Sequence, residues 1–218
     1  MSRNVRTFPA ILANDAAALE KLVRKAETFT DYAQFDFMDG HFVPSHSFTV
    51  DDAAALKTTL NWEAHLMMLQ PEDHLATLQK AGAKKIVFHF EAVSSPWKMI
   101  SLVRELGMKV GLAINPETPN AAFRMLVPEV DSLLFMAVNP GFYGAPFIPE
   151  VLEKIREFRK TFFKTEIGID GGIKEHNIAD AARAGADVIF VGSAILNAPD
   201  PAAAYRKLSG LAQAAIKP

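Results

Sequence analysis

Two aspartates stand where an idle carboxylate is expensive to keep. Asp36 lies in Gln34-Phe35-Asp36-Phe37-Met38-Asp39-Gly40-His41-Phe42-Val43-Pro44, an apolar strand pattern that stops in a polar, glycine-containing turn. Alternation puts Gln34, Asp36 and Met38 on one face of that strand and Phe35 and Phe37 on the other. A carboxylate on the interior face needs a metal, a substrate or a partner to offset the loss of water. Asp170 repeats the arrangement in Ile167-Gly168-Ile169-Asp170-Gly171-Gly172, again an apolar strand ending in Asp and glycines. Two strand-end carboxylates, far apart in sequence, predict one site that holds an acid and a base.

The elements that must bring them together alternate along the whole chain. Apolar runs predict strands over 7–12, 32–37, 63–67, 85–89, 109–114, 132–137, 166–169 and 188–191. Helical patterns fall between them over 16–29, 71–81, 96–106, 149–162 and 177–184, with Pro71 and Pro149 where a first helical turn tolerates proline. Two junctions, Ala81-Gly82-Ala83-Lys84 and Ala184-Gly185-Ala186-Asp187, each close a helix with glycine and open a strand. Eight strand–helix units predict a single (β/α)8 TIM barrel, one domain over residues 1–218. A doubly wound open sheet is the runner-up, but no Gly-x-Gly-x-x-Gly follows the first strand. Barrel sites lie at strand C-termini, and Asp36, His65, His89, Met136 and Asp170 sit at or near five such ends.

Composition narrows the chemistry further. Half of the 218 residues are hydrophobic and 22% are charged, enough apolar material for one large α/β core. A net charge of -2 without any Lys/Arg-rich run argues against nucleic-acid or membrane-surface partners. The 16 phenylalanines have no basic residues interleaved with them, as a packed barrel requires and a base-stacking platform does not. With no cysteine, disulfides, thiolate metal sites and cysteine nucleophiles are excluded, so a metal must use His, carboxylate or amide ligands. Neither a signal peptide nor an apolar run of bilayer length is present, and a cytoplasmic location is expected.

Four motifs occur in a telling order: Asp36-Phe37-Met38-Asp39-Gly40-His41-Phe42-Val43-Pro44, His65-Leu66-Met67, Asn139-Pro140-Gly141-Phe142 and Asp170-Gly171-Gly172. Together they resemble the ribulose-phosphate 3-epimerase family over residues 9–198. The resemblance implies an isomerase of carbohydrate metabolism that interconverts D-ribulose 5-phosphate and D-xylulose 5-phosphate, a pentose phosphate reaction. One carboxylate takes the proton beside the carbonyl, an enediolate forms, and the other carboxylate returns a proton to the opposite face. It makes Asp36 and Asp170 the catalytic pair and implies a divalent metal (Zn, Fe, Mn or Co) held by two His and the two Asp, with Asp36, His65 and Asp170 as ligands. The family's remaining histidine ligand falls at Gln34. An amide oxygen is a weaker, uncharged ligand. Three arrangements stay open: a weakened site that includes Gln34, a three-ligand site, or no metal.

Other positions follow from the same resemblance. Ala10 in Pro9-Ala10-Ile11-Leu12 replaces a serine that contacts the sugar, while Met38, Met67 and Met136 match the methionines of the sugar pocket. Phosphate recognition maps to Gly171, Gly172, Gly192 and Ser193 after strands seven and eight, where barrels often bind phosphate on backbone N–H groups. Gly144 joins them from a loop in which Tyr143 and Ala145 replace a Gly and a Gln. His89 is placed behind the ligands; His41, His46, His74 and His176 are expected at the surface. The partner is a small sugar phosphate, and family members usually form homo-oligomers. A lysine-dependent decarboxylase of a related barrel would need Asp-x-Lys-x-x-Asp, and Asp36-Phe37-Met38-Asp39 has no lysine. Two alternatives accompany the leading expectation: an epimerase of another ketose phosphate, and a non-catalytic phosphosugar-binding barrel that has lost its metal through Gln34 and Ala10.

Overall fold

A computed structural model describes residues 3–142 and 144–217; Tyr143 lies outside them. Eight parallel strands close on themselves in sequence order, with β1 (Arg6–Ile11) hydrogen-bonded to both β2 (Tyr32–Met38) and β8 (Val188–Val191). Between them lie β3 (Asn61–Met67), β4 (Lys85–His89), β5 (Lys109–Ile114), β6 (Ser132–Met136) and β7 (Glu166–Asp170). The helices are α1 (Ala16–Ala26), α2 (Val50–Ala55), α3 (Leu75–Lys80), α4 (Pro96–Glu105), α5 (Asn120–Phe123), α6 (Glu150–Thr161), α7 (Ile178–Ala184), α8 (Ser193–Leu196) and α9 (Pro201–Ala214). The segment expected as one helix over 71–81 begins instead with a tighter turn, Pro71–His74, because Gln70 before it is left-handed.

Each strand sorts its side chains by parity. Outward residues such as Phe35, Phe37, Leu66, Phe88, Phe135 and Ile167 pack under the helices in one large cluster. Inward residues Ala10, Val87, Ala113, Leu134, Met136, Val188 and Phe190 fill the barrel axis. Gly168 makes room for that filling, since a Cβ there would stand 2.9 Å from Leu134 Cδ1. Below this apolar middle, at the N-terminal end, Lys85 pairs with Glu63 at 2.6 Å and donates to Ser132 at 3.2 Å, while the Tyr32 hydroxyl donates to Glu63 at 2.8 Å.

Register decides what meets at the opposite end. Asp36 on β2 is level with His65 on β3, Ala10 with Gln34, and Met136 with Asp170. Residues spaced by two share a face, so Gln34 and Asp36 enter the barrel together.

Candidate active site

The C-terminal strand ends converge on one cavity of about 260 Å³ whose walls include Ala10, Asp36, Met38, Met67, Met136 and Asp170. The loop after β2 roofs part of it. Asp39 holds that loop by accepting from the His41 and Phe42 amides, each at 2.9 Å, and from the Leu69 amide at 2.7 Å. These bonds outweigh burial and hold the Asp39 carboxyl below its usual range, so Asp39 is a clamp and not a second proton carrier. The Ser45 hydroxyl donates to the Gly141 carbonyl, which ties the loops after β2 and β6 together. Gly141 has φ 93° and a Cβ there would lie 2.5 Å from Val43, so only glycine permits this approach.

At the cavity floor His65 Nδ1 lies 2.9 Å from Asp36 Oδ1 and 3.8 Å from Asp170 Oδ2. One ligand atom from each of Asp36, His65 and Asp170 falls within 4.8 Å of the others, so the three can hold a metal ion. An imidazole and two carboxylates suit the harder and borderline divalent ions. Gln34 lies beneath them, fully buried, and its Nε2 donates to Asp170 Oδ2 at 2.7 Å and to Asp36 Oδ1 at 2.9 Å. The residues fit a divalent ion as a set of three, with the Gln34 amide directed at the same point.

Among the described residues, no Lys or Arg pairs with the site's carboxylates. Burial, the largest cause, pushes Asp36 up to about 8 and Asp170 up to about 7; Glu63 adds to the first and the Asp36 charge to the second. Gln34 hydrogen bonds oppose both shifts. Burial also lowers His65 despite the Asp170 charge, leaving a neutral imidazole, the form that ligates metals. Its other nitrogen, Nε2, lies 2.9 Å from His89 Nε2, and the two rings stack. His89 is pushed down to about 4 by burial and faces Glu91 at 3.6 Å, which in turn accepts from the Asn115 amide at 3.0 Å. His89 thus lies directly behind His65, where a ring nitrogen can set the ligand's tautomer.

The expected residues fall into two groups on the walls. Ala10, Met38, Met67 and Met136 surround the carboxylates, while Gly144, Gly171, Gly172, Gly192 and Ser193 line the side opposite β3. Gly171 and Gly172 have φ of 106° and 64°, and a Cβ on Gly171 would lie 2.5 Å from Val138. That turn exists because it is Gly-Gly. His41, His46 and His176 are exposed as expected, whereas His74 is half-buried. Sequence reasoning missed Glu91, Asn197 and Lys174, the last being the cationic residue on the cavity wall among the described residues. Their signals were present, in Glu91 two residues beyond His89 and in Lys174 directly after Asp-Gly-Gly-Ile, but side chains on loops carry no periodicity to flag them.

Known proteins resemble this chain over most of its length. The model of the ribulose-phosphate 3-epimerase family matches residues 6–196. The ribulose-phosphate 3-epimerase of Synechocystis sp. is 39% identical over 213 residues, covering 94% of this chain and 93% of its own. That of Aquifex aeolicus is 37% identical over 215 residues, covering 95% and 97%. Among solved structures, 3-hexulose-6-phosphate synthase from Salmonella typhimurium superposes with a TM-score of 0.71 at 22% identity, covering 95% of this chain and 98% of its own. That likeness concerns the barrel alone. The sequence matches extend over the strand ends that build the cavity, and on them this chain belongs to the ribulose-phosphate 3-epimerase family.

Proposed function

We propose that this chain is a ketose-phosphate 3-epimerase that interconverts D-ribulose 5-phosphate and D-xylulose 5-phosphate. The observation that carries the reading is the pair Asp36 and Asp170, buried on one cavity floor with no Lys or Arg paired to either among the described residues. Burial raises both above the usual carboxylate range, which suits a pair whose members must each carry a proton in turn. The ionised carboxylate takes the proton from the carbon beside the carbonyl, and the electron pair moves onto the carbonyl oxygen as an enediolate forms. The protonated carboxylate then delivers its proton to the opposite face, and the two groups exchange protonation states. Asp36, His65 and Asp170 are the residues that would hold a divalent metal, Zn, Fe, Mn or Co, which when bound supplies positive charge to the substrate oxygens.

The remaining walls divide the substrate's other needs. Met38, Met67 and Met136 give the sugar an apolar, deformable face and exclude water from the carboxylates. Gly144, Gly171, Gly172, Gly192 and Ser193 present backbone to the phosphate, and Lys174 on the same wall adds charge. Ala10 leaves space where a hydroxyl would contact the sugar. The single barrel domain acts as a homo-oligomer, which light scattering tests. Among the described residues no helix is long and apolar enough to cross a membrane.

Turnover of D-ribulose 5-phosphate by purified protein, with and without chelator, tests the reading. Formation of D-xylulose 5-phosphate supports it. Binding of the sugar phosphate without conversion, in protein reloaded with each of the four metals, contradicts it.

A further inference from the structure

Gln34 occupies a place that its amide alone does not explain. Its Nε2 lies 2.7 Å from Asp170 Oδ2, 2.9 Å from Asp36 Oδ1 and 3.4 Å from His65 Nδ1, the three residues that form the candidate metal site. An amide nitrogen has two N–H donors, and both are directed at carboxylates. The other end of the same amide, Oε1, is buried with no hydrogen-bond partner among the described residues. We propose that Gln34 is a built-in cation substitute and gate: its NH2 group sits where a divalent ion would sit and holds the two carboxylates together. A metal enters only when the amide turns over and presents Oε1 in place of Nε2. The inference rests on the proposed epimerase reading for its use, though not for its geometry.

Whichever way the amide points, one of its ends faces the partnerless side, so that penalty is common to both orientations. What decides between them is therefore what lies among Asp36, His65 and Asp170. With nothing there, two carboxylates 100-odd residues apart in sequence need a donor between them, and the NH2 end supplies two hydrogen bonds. With a dication there, NH2 is repelled and an amide oxygen is attracted. Each bound metal must then displace both of these hydrogen bonds, so this chain binds metal more weakly than a variant lacking the NH2 group. Gln34 is here a positioning residue for the proton-transferring pair, since it lies under the cavity and reaches the substrate only through Asp36 and Asp170.

Cobalt(II) titration of the chelator-treated full chain tests this, followed by calorimetry and visible absorption, for wild type, Gln34→His and Gln34→Leu. Gln34→His is expected to bind at least about tenfold more tightly than wild type. Gln34→Leu is the discriminating variant: it removes both the gate and any amide ligand. Tighter binding than wild type supports the gate, whereas weaker binding means that Gln34 is an ordinary oxygen ligand and overturns it. A melting curve of each chelated variant confirms that it is folded, and the cobalt-induced rise in midpoint repeats the ranking if affinities are weak. Conversion of D-ribulose 5-phosphate, measured on the same samples, separates the two claims. Turnover with the wrong cobalt ranking sinks the gate alone; the right ranking without turnover under any metal sinks the epimerase reading alone.

Discussion

The two ends of the barrel bury carboxylates in opposite ways. At the N-terminal end Glu63 is fully enclosed but has Lys85 at 2.6 Å and the Tyr32 hydroxyl at 2.8 Å. At the C-terminal end Asp36 and Asp170 share one neutral imidazole and one amide. The lower cluster is balanced within itself and closes the barrel. The upper one is left short of positive charge and opens onto the cavity, so its deficit is available to a metal, a proton or a substrate. Charge balance, more than burial, separates a structural polar cluster from a reactive one in this fold.

The sharpest way to break that comparison is to neutralise one carboxylate at each end. Asp170→Asn removes one member of the proton-transferring pair and is expected to lower turnover by about 10³-fold, with the fold retained. Near wild-type turnover with correct folding would end the two-carboxylate account. Glu63→Gln does the reverse: it leaves the buried Lys85 with the more distant, partly exposed Glu166 at 3.6 Å and is expected to lower unfolding free energy by about 3 kcal/mol while folded molecules keep their turnover. Denaturant titration reads this effect, and the double change Glu63→Leu, Lys85→Met is expected to recover most of the loss.

A smaller effect separates the ends by pH. A carboxyl raised on folding stabilises the protein while protonated in the native state, and that contribution is lost as pH rises through the folded value. His65 and His89 are lowered on folding, so they oppose this fall, but their contribution fades as pH rises above 6.5, the ordinary histidine value, and leaves the carboxyls dominant. Between about 6.5 and about 8 the melting midpoint of chelated protein is therefore expected to fall, and Asp36→Asn is expected to flatten the slope. A flat wild-type profile would mean that the upper carboxylates are ionised throughout. The smallest expected effect is on the wall proposed to hold the phosphate. Gly172→Ala must hold alanine at φ 64° with its Cβ 3.0 Å from the Phe147 backbone, a strain of about 1–3 kcal/mol that should raise KM more than it lowers kcat.

Much of the upper end was legible before any coordinates. Asp36, His65 and Asp170 announce themselves as polar residues closing apolar runs, and the eight strands lie within two residues of where alternation puts them. The lower cluster was not legible, because Glu63 and Lys85 stand near the starts of their strands and resemble ordinary solvent-facing ends until register sets them side by side. The bridge made by Gln34 was hidden for the same reason: its parity is readable, but its reach to Asp170 depends on the four strands between β2 and β7 closing the barrel. Short helices such as α5 and α8 span a single turn and owe their existence to the loops that hold them, not to propensity. Helix α9 did carry a signal, the Asp200 cap followed by Pro201, although its apolar face is broken by small residues.

Proton exchange with solvent tests the central claim most directly. In deuterated water, two carboxylates acting from opposite faces predict D-xylulose 5-phosphate carrying one solvent deuterium on the carbon beside the carbonyl, with that incorporation abolished in both Asp36→Asn and Asp170→Asn. Product free of deuterium, or labelled product from either variant at the wild-type rate, would contradict the account.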